Sequence, residues 1–315
     1  MSNGRIGGCI TMRSGPAWIR HVRQYKVRLA FIAVVLAYFA VYKYGPMYGL
    51  IIAFQDYQIG AGFTESPWVG LEHFRSFLEN PDFTRVFWNT ALISAYRIAF
   101  GFFPPVVLAL LLNEVMHRTY QRWIQTLTYL PHFLSWVIIY GMAFAFLSEG
   151  RGLVNEWIRG WGGQSINFLT SEAWFRSLLV ISDIWKDTGW GAIIYLAAIF
   201  GINPQLYEAA ITDGAGRWRQ IWHITLPGIA PVIILLFILR LGHVLDAGME
   251  QVLVFYNPLV YSVGDILDTW AYRMGILEGR FSLAAAVGLF KSVVGLLLVF
   301  AANRLANRWG DGGIW

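Results

Sequence analysis

Charge is what this 315-residue chain has least of. Asp, Glu, Lys and Arg make up 14% of it, against 57% hydrophobic and 17% aromatic residues. An average soluble domain carries about 25% charged residues. The mean hydropathy is +0.50 over the whole chain. So little polar surface cannot cover a water-soluble globule of this length. That excludes a disordered chain, a soluble enzyme of ordinary build and, despite the net charge of +5, a nucleic-acid binder. Cysteine is nearly absent: Cys9 alone excludes an intrachain disulfide and a cysteine-built metal site. Lysine is scarce as well. None of Lys26, Lys43, Lys186 and Lys291 follows a glycine, so no phosphate-cradling Gly-Lys-Ser/Thr loop exists. There is no His-Glu-x-x-His and no hydrolase nucleophile elbow. Gly162-Gly163-Gln164 matches a fragment of an ATPase signature, but Trp161 precedes it and we read it as chance. The chain is therefore expected to be no enzyme, with no catalytic residue, metal or cofactor of its own.

What is present is long apolar runs. A membrane-spanning helix needs about 20 mostly apolar residues. Six candidates follow: Val27 to Tyr44, with Gly45-Pro46 bending the chain; Val86 to Leu112; Trp123 to Leu147; Trp174 to Phe200; Ile229 to Asp246; and Leu283 to Leu305. The fold class expected is an all-α polytopic membrane protein with six transmembrane helices, residues 29–305. A basic arm (1–28) precedes it and a short tail (306–315) follows. Pro104-Pro105, Pro131 and Gly189 to Gly191 inside the spans predict kinks or close helix packing, which a bundle in lipid tolerates. Leu71, Phe74, Phe77 and Leu78 mark a short amphipathic helix on the bundle or the membrane surface. Tyr42, Tyr44, Tyr48, Trp88, Tyr120, Trp123, Trp174, Trp270, Tyr272 and Trp309 read as interfacial belts.

Orientation follows from Lys and Arg. Residues 1–28 with the 113–122, 201–227 and C-terminal segments hold 12 of them; the other three connections hold 7, together with 13 of the 19 acids. The first set is assigned to the cytoplasm, so both termini lie inside. The first apolar run has no small-residue cleavage site after it and reads as a retained helix.

The 201–227 connection carries the most information. Asn203 is an N-cap and Pro204 a first helical residue. A helix is expected to Asp213, ended by Gly214 in the left-handed conformation. A second short helix presents Trp218, Ile221 and Trp222 and stops at Pro227. Ala209 and Ala210 keep one face low, with Glu208 and Asp213 beside it. Such a hairpin suits the docking of another protein; it also suits a packing hairpin of the bundle.

Glu208-Ala209-Ala210, then Gly214, Ile224 and Leu226-Pro227, stands at the spacing of the EAA loop and resembles the permease subunits of ABC-type importers. Asp213-Gly214-Ala215 matches too. Pro46-Met47-Tyr48-Gly49 with Phe54-Gln55-Asp56-Tyr57, and Trp68-Val69-Gly70-Leu71 with Asn89-Thr90, resemble the carbohydrate-uptake branch. Within it the chain looks most like permeases for complex or acidic oligosaccharides of the alginate or uronate kind. The resemblance implies a maltose-type (type I) importer permease in the bacterial inner membrane. It implies as partners a second related permease chain, two ABC ATPase subunits that hold ATP and Mg, an extracytoplasmic substrate-binding protein, a carbohydrate substrate and lipid. It implies that Glu208, Ala209, Ala210, Asp213, Gly214 and Arg217 couple to the ATPase.

Charges inside the spans mark a candidate substrate path, because buried charge in a bundle faces its interior or a watery cavity. Asp183, Lys186 and Asp187 share one face of the fourth span, and Arg240 and His243 one face of the fifth. The triad suits either a self-neutralised structural group or a pathway. Trp185, Trp190 and Tyr195 offer aromatic faces for sugar. Over the spans five positive charges against two negative suit an anionic sugar. Two other readings remain at this point: an ion-coupled secondary transporter using Asp183 and Asp187, and a membrane scaffold.

Overall fold

The computed structural model describes residues 25–309. Most of the basic arm, Cys9 and the end of the tail lie outside the described residues. Every named element among the described residues is helical, apart from one isolated antiparallel bridge, Gln55 to Trp68. Four helices are long and apolar enough to cross a membrane: Lys26–Phe54, Pro81–Asn113, Arg217–Gly242 and Phe281–Arg308. Two bent pairs raise the number to six if each is one span: Arg118–Phe133 with Trp136–Leu147, and Glu172–Phe200 with Pro204–Thr212.

The chain divides into a unit ending at Ile51 and a unit running from Ile52. In the first, helix Lys26–Phe39 passes through a π turn, Ala40–Tyr44, and on through Pro46. The π turn absorbs the donor that proline lacks, and the helix runs on through Gly45-Pro46, where a bend was expected, to Phe54. Residues 25–48 are all exposed.

In the second unit the expected kinks at the prolines differ in sharpness. Asn80 accepts a hydrogen bond from the Asp82 N–H at 2.9 Å and caps a helix that begins with Pro81. The helix ends at Gly101 and resumes as Phe103–Asn113, with Pro104 and Pro105 in the first turn of the second piece, where missing donors cost least; the two pieces count as one span. The third span breaks more sharply, beside Pro131. Helix Arg118–Tyr129 tightens into a 3₁₀ turn, Leu130–Phe133, and the chain bends by 103° before Trp136–Leu147. Ser135 caps the second piece, its hydroxyl accepting from the Ile138 N–H. The fifth span also differs from expectation. Arg217–Gln220, the π turn Ile221–Thr225 and Leu226–Gly242 run on as one helix, so Pro227 does not stop it.

The glycines of the fourth span serve close packing. A Cβ on Gly189 would collide with the backbone of Thr128, and one on Gly191 would lie 3.1 Å from the Pro105 ring. Three apolar clusters form the core. The first joins Phe77, Val86, Leu267, Trp270 and Ala286; the second joins Ile93, Phe175, Leu179 and Phe255; the third joins Ala109, Leu112, Ala192, Tyr195 and Ile229. In the amphipathic helix Glu72–Leu78, Phe77 is the fully buried residue, whereas Leu71 and Leu78 stay exposed. Trp270 is also fully buried and so is no belt residue, unlike the exposed Tyr42, Tyr44, Tyr48, Trp88, Tyr120, Trp123 and Trp174.

Candidate functional site

The 201–227 segment folds as a hairpin beyond the fourth span. Asn203 caps helix Pro204–Thr212 by accepting from the Gln205 N–H at 3.0 Å, and this helix leaves the fourth span at 71°. It has no buried residue. Glu208, Ala209, Asp213 and Gly214 are exposed and Ala210 half-buried, while Leu206, Ile211, Trp218 and Trp222 offer exposed apolar surface. Gly214 turns the chain at φ +74°, a conformation that costs side-chain-bearing residues about 1–2 kcal/mol. The turn is closed by the Ala215 N–H donating to Ala210 O at 2.8 Å. Two contacts tie the hairpin down. The Tyr207 hydroxyl meets that of Thr225 at 2.9 Å, linking the exposed helix to the π turn at the head of the fifth span. Arg217 lies 3.7 Å from Glu114, on the connection between the second and third spans. The six expected coupling residues thus fall on one exposed hairpin, anchored by the side chains of Tyr207 and Arg217.

A second site lies within the bundle, a cavity of about 400 Å³ bordered by the second, third, fourth and fifth spans. Of the expected pathway residues, Asp183, Asp187, Trp190, Arg240 and His243 line it; Trp185 and Lys186 do not. The i, i+3, i+4 triad is not self-neutralised, because its members reach other spans: Asp183 the second and fifth, Lys186 and Asp187 the third. Asp183 Oδ1 is 3.4 Å from Arg97 Nη1 and its Oδ2 3.9 Å from Arg240 Nη2. Asp187 accepts from His132 Nδ1 at 2.8 Å, and the His132 ring stacks on Trp190 at 4.6 Å between centroids. Lys186 donates to the carbonyls of His132 and Leu134 at 2.6 and 2.5 Å. These carbonyls lie at the break of the third span, which Lys186 pins to the fourth. Tyr195 is core, 3% exposed.

Past the fifth span, Lys291 of the sixth donates to Asp246 at 2.6 Å and also bonds to Asp268, while His243 meets Asp246 at 3.0 Å. Burial pushes the Asp246 carboxyl up, but the hydrogen bonds from Lys291 and His243 outweigh it and hold the group below its ordinary range. At Asp268 burial prevails over the same lysine and the carboxyl is raised. Nearby, Arg273 donates to the fully buried Asp265 at 2.6 Å. Four of the five span cations are engaged, though Lys186 meets only neutral carbonyls. Arg97, Lys186, Arg240 and Lys291 all have protein partners.

Sequence reasoning did not assign Ser94, Arg97, His132 and Asp246 to the pathway, yet all four line the cavity. Arg97 was legible as a charge in an apolar run. Its partner Gln251, fully buried and far along the chain, gave no local signal. Among the described residues no group of three or more His, Cys, Asp or Glu could hold a metal ion.

A model of the family described as binding-protein-dependent transport system inner membrane component matches residues 101–311. The chain is 45% identical over 306 residues to protein LplB of Bacillus subtilis (strain 168), covering 97% of this chain and 96% of that one. It is 49% identical over 278 residues to the polygalacturonan/rhamnogalacturonan transport system permease protein YteP of the same organism, covering 88% and 87%. Its structure matches a chain of a bacterial ABC transporter involved in the import of the acidic polysaccharide alginate, with a TM-score of 0.84 and 38% identity over 93% of this chain and 99% of that chain. The same scores are found against that transporter in complex with an alginate pentasaccharide-bound periplasmic protein. These likenesses give no support to the ion-coupled alternative. With the EAA spacing on an exposed hairpin, a bundle of apolar helices around a polar cavity, and these matches over nearly the whole chain, the protein belongs to the binding-protein-dependent transport system inner membrane components, the permease subunits of ABC importers.

Proposed function

We propose that this chain forms half of the translocation pathway of an importer for acidic oligosaccharides and receives the work of ATP hydrolysis through the Pro204–Thr212 helix. The observation that carries the coupling role is that helix itself: without a buried residue, angled off the fourth span and carrying Glu208. Its face is built for a cleft in a separate ATPase, with Ala209 and Ala210 allowing close approach and Glu208 offering an ion pair. Two ATPase subunits hold ATP and Mg, a second related permease supplies the other half of the path, and an extracytoplasmic binding protein delivers the sugar. Both termini and the hairpin face the cytoplasm, and this chain performs no catalysis. The acidic class is supported by relatives whose names specify polygalacturonan, rhamnogalacturonan or alginate.

Glu208→Lys in the reconstituted importer is expected to abolish sugar-stimulated ATP hydrolysis. Hydrolysis and uptake at wild-type rates would sink the coupling role.

A further inference from the structure

The wall of the cavity between the second and fifth spans has an unusual charge arrangement. Two guanidinium groups, Arg97 and Arg240, converge on one carboxylate, Asp183. The other anions lining the cavity have cationic or histidine partners of their own: Asp187 has His132, and Asp246 has Lys291 and His243. Among these three groups two cations face one anion. Its ion pairs are also slack. Charge-assisted bonds between guanidinium and carboxylate run at about 2.7–2.9 Å, whereas these separations are 3.4 and 3.9 Å. Arg97 is 9% exposed and Ser94 4%, and the Arg97 Nε and Ser94 Oγ atoms are buried on this wall without a hydrogen-bond partner. Asp183 answers the two guanidinium groups with one charge and saturates neither.

The arginines, by contrast, are held from behind by groups that carry no charge. Arg240 donates to Arg97 O at 3.2 Å and Gly101 O at 3.4 Å. Arg97 donates to the side-chain oxygen of Gln251, whose amide is anchored on Leu179 O at 2.9 Å and Ser182 Oγ at 2.7 Å. Gly101 leaves the room, since a Cβ there would lie 3.1 Å from Arg240 Nη2. A fork of donors fixed by neutral acceptors keeps its geometry when its anion is exchanged, and the cavity is of a size that holds a small ligand, about 300–1,000 Å³.

We propose that Arg97 and Arg240 form a seat for one carboxylate of an acidic sugar unit, with Ser94 beside it, and that Asp183 is an internal stand-in occupying the seat until the substrate carboxylate displaces it. Asp183 is tethered and keeps its charge in the bundle, so it is the pair of guanidinium groups that lets the sugar carboxylate and Asp183 each face a cation. A neutral unit has nothing to offer in place of Asp183. The proposal rests on the acidic-substrate reading above and adds to it the place and the competitor.

The test uses the complete importer, with ATPase, second permease and binding protein, in proteoliposomes. The readout is the ratio of uptake of trigalacturonate to uptake of its fully methyl-esterified form at subsaturating concentration. The binding protein is the same in every arm, so a change of ratio belongs to this chain. Arg240→Gln is expected to lower the ratio about tenfold, the worth of one charge-assisted hydrogen bond. Asp183→Asn, close to isosteric but no longer an anion, is expected to raise it. An unchanged ratio in both variants, or an equal loss of both substrates in Asp183→Asn, overturns the seat while leaving the acidic-substrate reading intact. A wild-type importer that carries the ester as fast as the acid overturns that reading and the seat with it.

Discussion

At the residue scale, the chain's few intramembrane charges divide by what they bind. Lys186 illustrates the division. It sits on the same helical face as Asp183 and Asp187, and spacing alone makes the three look equivalent. In the fold its ammonium is spent on two backbone carbonyls at the break of the third span and lies 5.4 Å from the Trp136 ring centre. Lys186→Met should leave those carbonyls without a donor at a cost of about 1–3 kcal/mol each. A lowered unfolding temperature of the purified chain in detergent is the expected result; an unchanged one would remove the pinning role. That these residues lie in the bundle was legible from charge in apolar runs. Which of them meet was not, because the partners, such as Arg97 and Gln251, are separated by 154 positions.

At the element scale, prolines and glycines marked helices and several of their joints. Pro104-Pro105 open the second half of the second span after an interruption at Phe102, and Pro131 lies beside the sharper break of the third. Lys186 takes up two carbonyls at that break, those of His132 and Leu134. Gly189 is decided by packing in the same way. Gly189→Val is expected to push the fourth span off the Thr128 backbone and destabilise the chain by about 1–3 kcal/mol. Equal expression and melting of the variant would contradict that close approach. The coupling hairpin, in contrast, was readable nearly residue by residue. Its Asn203 cap, Pro204 start and Gly214 turn are local backbone chemistry.

At the scale of the whole molecule, the orientation drawn from Lys and Arg is open to a direct test. In a Cys9→Ser background, cysteine at Trp161, 91% exposed, should react with a membrane-impermeant maleimide on intact cells. Cysteine at Trp218, 75% exposed on the coupling hairpin, should react only after the cells are opened. Labelling of both from outside would reverse the assignment.

The sequence by itself determined that this is a helical membrane protein, and where a short capped helix ends in a glycine turn. Each depends on composition or on neighbours within a few turns. Only the tertiary structure decided which spans bend, which lysine is structural, and that Arg97 and Arg240 share one carboxylate. Those outcomes depend on long-range satisfaction of buried charges and carbonyls, and lipid offers no water to satisfy them in any other way.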